Sequence, residues 1–114
     1  MKPGDVEKIN EKLRRQGGFW TWNDVLDAIE RQEMKMFAVG ESFAVVRICK
    51  FPRRTVIDVV LVWGVISDMR RLEEAVEIFK EAAGASAIFA SGRHGWSSLM
   101  HGSWKAVSVN YMKE

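Results

Sequence analysis

A chain of 114 residues suits one domain, 1–114, with one core. Its 47% hydrophobic and 28% charged residues are those of an ordinary soluble globular protein, and a net charge of +2 is too small for a dedicated nucleic-acid binder. No apolar run reaches about 18 residues, which excludes an ordinary membrane helix; Met1–Lys12 lacks an apolar signal core, and the single Cys49 cannot form an internal disulfide, so a reducing compartment is expected.

Val6, Ile9 and Leu13 form one narrow apolar stripe, which predicts a helix over Asp5–Gln16 with Asp5 as N-cap. The pair Gly17-Gly18 breaks it. Phe19-Trp20-Thr21-Trp22 follows without an assignable conformation. It serves either as an exposed anchor for a partner or as a plug between helices and sheet. Thr21 or Asn23 can cap a second helix, about Asp24–Gln32, with Val25, Leu26 and Ile29 as its apolar face.

Lys35–Val39 and Phe43–Phe51 read as strands joined at Gly40-Glu41-Ser42. The turn Pro52-Arg53-Arg54 leads into Thr55–Ile66, TVIDVVLVWGVI, the longest nearly unbroken apolar run. Val56, Ile57, Val59, Val60 and Val62 argue for a strand over a helix, and a strand apolar on both faces must be covered on both. Asp58 interrupts it. Either Asp58 pairs with Arg47 or Lys50 on the neighbouring strand, which is the expected arrangement, or it is a general base facing a cleft.

Met69, Leu72, Val76, Phe79 and Ala83 predict a long helix over Asp68–Ala83, stopped by Gly84. Ala85–Ser91 reads as a strand parallel to the central one through a right-handed crossover. Then come the loop Gly92-Arg93-His94-Gly95, a short helix over Trp96–His101, and a last strand over Lys105–Met112. The histidines, His94 and His101, lack the convergent ligands a metal needs, so no metal site is expected. Ser91 with His94 and Ser98 with His101 lack both a nucleophile elbow and a nearby orienting carboxylate. The summed order is α/β: an antiparallel meander plus one parallel crossover, with helices on both faces.

This order resembles the GNAT superfamily of N-acetyltransferases. A closer resemblance, to the small GNAT-like proteins of tailed bacteriophages and prophages, is carried by Phe51-Pro52-Arg53-Arg54-Thr55-Val56, by Gly92-Arg93-His94-Gly95-Trp96 and by Gly102-Ser103-Trp104. The superfamily resemblance implies acetyl-CoA as cofactor, its pyrophosphate held by backbone amides at Ile66, Ser67, Asp68 and Met69, with Arg70 and Arg71 assisting. An unknown amine would be the acceptor. The family's glycine-rich phosphate loop and its late-helix tyrosine have no counterpart in Gly64–Arg71 or Ser97–His101. The phage resemblance therefore implies a non-catalytic virion-associated protein without cofactor, found in the virion or the cytoplasm of the bacterial host. It would dock on other virion proteins, or on itself, through Phe19, Trp20, Trp22, Arg93, Trp96 and Trp104.

Overall fold

The computed structural model describes residues 1–90, 104, 105, 107 and 111–114. Its elements run α1 (Asp5–Arg15), α2 (Trp22–Glu30), β1 (Lys35–Val39), β2 (Ser42–Lys50), β3 (Thr55–Trp63), a 3-10 turn (Ile66–Asp68), α3 (Met69–Ala83) and β4 (Ala87–Ala90). The sheet order is β1-β2-β3-β4; β1, β2 and β3 form the antiparallel meander and β4 joins β3 in parallel. The expected strand 105–112 lies partly outside the described residues, and the expected short helix 96–101 lies wholly outside them.

Helices lie on both faces, and each face has its own core. Against α1 and α2 the sheet buries Phe43, Val45 and Leu61, with Ile9, Leu13, Trp22 and Val25 from the helices. Against α3 it buries Ala44, Val46 and Ile57, with Leu72 and Val76 from the helix. β3 supplies both faces, which is why its sequence is apolar at nearly every position. Its register against β2 steps from Val45↔Leu61 to Val46↔Val59, so Val60 is the extra residue of a β-bulge. The bulge lets Val60 and Leu61 both contribute to the α1/α2 core while Val59 and Val62 pack on α3.

Several boundaries move from their expected places for local reasons. Asp5 is the first residue of α1 rather than its N-cap; Gly4 caps it, and the Asp5 carboxylate accepts from the backbone N–H of Lys2. α2 begins two residues earlier than expected because Thr21 is the cap: its hydroxyl accepts from the Asp24 N–H while the Asp24 carboxylate accepts from the Thr21 N–H. Asn10 of α1 adds a third bond by accepting from the Trp22 N–H, which fixes α2 to α1. Thr21→Ala is expected to cost about 1 kcal/mol in urea unfolding. The Thr21 N–H, then its hydroxyl, hold the Asp24 carboxyl below the usual carboxylate range. Its support for α2 is therefore complete above the unfolded-chain value of about 3.9 and is lost as pH falls through the lower folded value.

Candidate functional site

The chain passes from β3 to α3 at the end of the central strand, the place where the amides of a helix start can meet a ligand. β3 stops at Trp63, three residues short of the expected Ile66, because Gly64 adopts φ +136. No other residue fits there: a Cβ on Gly64 would lie 2.0 Å from the Ser42 hydroxyl oxygen and 2.6 Å from the Ser42 Cα. The contact brings Ser42, the first residue of β2, against the junction. Ser42 is 1% exposed. Its hydroxyl accepts from the Val65 N–H at 3.0 Å and donates to Oδ2 of Asp68 at 2.6 Å. The turn between β1 and β2 is thus stapled to the start of α3.

Asp68 stands at the N-cap position of α3 but caps nothing; its carboxylate turns back to Ser42. A negative charge is favoured at a helix start, so this residue already supplies the anion that the α3 terminus attracts. The other residues of the expected phosphate loop do not converge. Ile66 is 70% exposed and Ser67 lies in solvent. Met69 packs on the α3 core. Arg70 points along the helix to Glu74 at 3.7 Å, and Arg71 is exposed. Beside the junction lies a cleft of about 230 Å³ between Met1, Asp5, Glu41, Trp63 and Val65. Lys12 of α1 reaches the same strand end and donates to the Val62 carbonyl.

Asp58 is held by a partner. It faces Arg47 across the β2–β3 pair, and the Arg47 Nε donates to its Oδ2 at 2.8 Å. That hydrogen bond is the main reason the Arg47 guanidinium is held above its ordinary range, against the opposing effect of partial burial. Arg47 also lies over the Trp20 ring, 5.5 Å from its centroid. The pairing expectation holds with Arg47 as the partner.

The three aromatics after the glycine pair separate into different roles. Trp22 is 5% exposed and packs on Phe43 with ring centroids 5.4 Å apart, so it is the plug and leaves the set of docking candidates. Trp20 is half-buried against the α1/α2 core, and Phe19 is 68% exposed. Trp104 donates from its indole nitrogen to Glu73 of α3 at 2.9 Å. Arg93 and Trp96 lie outside the described residues. Sequence reading missed Ser42: it sits 26 positions from Asp68, in a segment that reads only as a turn. Among the described residues no group of three or more His, Cys, Asp or Glu side chains could hold a metal, and no helix is long and apolar enough to cross a membrane.

No family model matches the chain, and no curated protein matches it in sequence. Solved structures do match it in fold. One is the crystal structure of a probable acetyltransferase, with TM-score 0.61 at 9% identity, covering 100% of this chain and 97% of that one. Another is a point mutant of a protein from Thermus thermophilus, with TM-score 0.55 at 18% identity, covering 99% of this chain and 96% of that one. The fold is therefore an α/β fold of the GNAT-like kind: a mixed four-stranded sheet with one parallel pair, between α1/α2 and α3.

Proposed function

We propose that this chain is a non-catalytic docking protein on a GNAT-like scaffold, of the virion-associated kind that its 51–56 and 92–96 segments resemble. The observation that carries the reading is the Ser42–Asp68 clamp. A pyrophosphate brought to the start of α3 would meet a carboxylate already tied there by a buried hydroxyl. The two nearby arginines do not offset that charge, since Arg70 turns to Glu74 and Arg71 to solvent. Asp58, the candidate base in the central strand, is bound by Arg47. Phe19 and the outer edge of Trp20 remain as an apolar docking surface for another virion protein.

The test is calorimetric titration with acetyl-CoA, with free CoA as control, at two temperatures. No saturable heat at millimolar ligand is the expected result; micromolar saturation would overturn the reading. For the docking surface, Phe19→Ala is expected to leave the fold intact and reduce incorporation into particles. Unchanged incorporation removes that surface.

A second reading, an acetyl-CoA-dependent N-acetyltransferase, has one observation in its favour. Neither the 3-10 turn nor α3 has a side-chain cap, so the Ile66 and Ser67 amides are not claimed by side chains, while Val65 donates to Ser42 and the Asp68 and Met69 amides donate to the Val65 and Ile66 carbonyls. The same titration separates the two readings.

A further inference from the structure

The outer face of α3 and the strand β4 enclose a groove of about 790 Å³. Among the described residues, Ile78, Ala87, Ile88 and Trp104 supply its apolar surface, and Glu74, Glu77 and Glu81 stand around it with one cation, Lys80. Ile78 is 72% exposed, an unusual position for an isoleucine inside a ring of carboxylates. Glu74 pairs with an exposed Arg70 and Glu81 with a partly buried Lys80; both carboxylates are themselves exposed, where such pairs leave most of the charge to act outward. Glu77 has no ion-pair partner among the described residues.

The opposite chemistry lies next to it. The loop between β2 and β3 is closed by the Phe51 N–H donating to the Arg54 carbonyl at 2.9 Å. It exposes Lys50, Arg53 and a Phe51 that is 59% accessible. Arg54 ties this tip to the groove: its Nε donates to the Ser86 hydroxyl at 2.9 Å, and Ser86 lines the groove. A basic tip with an aromatic residue thus adjoins an acidic groove with an apolar surface on one side of the molecule.

We infer that this chain forms a two-fold homodimer in which the Lys50–Arg54 tip of each copy enters the α3–β4 groove of the other. A two-fold contact requires a patch that complements itself, with one half meeting the other half on the partner. Adjoining tip and groove meet that requirement, because one rotation brings both contacts together. Phe51 is the aromatic anchor on Ile78 and Ile88, and Lys50 and Arg53 face Glu77 and Glu81. This surface is distinct from Phe19 and Trp20, and the inference does not depend on the docking reading.

Sedimentation velocity of the full chain at tens of micromolar tests it. The dimer mass is expected at low salt, with weaker association as salt rises. Arg53→Glu and Glu77→Arg are each expected to weaken the dimer at least about tenfold, since each sets like charges together twice. Phe51→Ser should act in the same direction. Mixing Arg53→Glu protein with Glu77→Arg protein is expected to restore the dimer mass, because both contacts of that mixed pair then join opposite charges. All these side chains lie at the surface, so circular dichroism should be unchanged in every variant. A monomeric wild type at hundreds of micromolar overturns the inference, as does a dimer indifferent to these substitutions or a mixture that stays monomeric.

Discussion

Gly64→Ala is expected to be the most damaging small substitution in the described fold. The added methyl would sit 2.0 Å from the Ser42 hydroxyl and 2.6 Å from its Cα, at a backbone φ of +136. Backbone strain at such a position costs about 1–3 kcal/mol, and overpacking against a fixed backbone costs about 1–3 more. A total loss of roughly 3 kcal/mol or more should lower the urea midpoint and the Tm together. The double variant Gly64→Ala with Ser42→Ala discriminates the cause. Removing the hydroxyl leaves the clash with the Ser42 Cα in place, so little stability should return. Full recovery in the double variant would mean that the hydroxyl alone demanded the glycine.

Trp22→Ala and Phe19→Ala should part company by a wide margin, though the residues lie three apart and are both aromatic. Trp22 is 5% exposed against Phe43, and truncating a buried aromatic costs about 3–5 kcal/mol. Phe19 is 68% exposed, and surface substitutions stay within about 0.5 kcal/mol. Equilibrium unfolding measures both. Equal losses would contradict the division between plug and surface; the expected split leaves Phe19→Ala as a clean reagent for docking experiments.

Those two results depend on features of different visibility. The plug role was one of two alternatives for Phe19–Trp22 on sequence alone, since adjacent aromatics look alike until something decides which faces inward. Here the deciding event is the Thr21–Asp24 capping box. It starts α2 at Trp22 and so turns that side chain onto the sheet, with Asn10 holding the first-turn N–H. The need for Gly64 was less visible still. Its neighbour Ser42 is 22 positions away, and nothing in either segment signals the contact.

The Asp58 site shows the opposite case. A carboxylate inside an apolar strand must find a cation, and strand pairing leaves few choices. Arg47 is therefore a candidate from the residue pattern alone, and the register places it directly opposite. The expected phosphate loop lies between these extremes. The sequence shows that Gly64–Arg71 has no glycine within the turn and carries a carboxylate at Asp68. Where that carboxylate points is a tertiary matter.

By itself, then, the sequence determined the succession of helices and strands from α1 to β4, the two-faced burial of β3 and the need of Asp58 for a cation on the adjacent strand. Each follows from local periodicity or from the cost of an unpaired charge, which neighbours in the chain or in the adjacent strand can satisfy. Only the tertiary structure decided the Ser42–Asp68 clamp, the glycine at 64, the burial of Trp22 rather than Phe19, and the adjacency of the basic tip to the acidic groove. These are contacts between segments distant in sequence. Their geometry is set by how β2, β3 and α3 pack, and no periodicity in the chain encodes it.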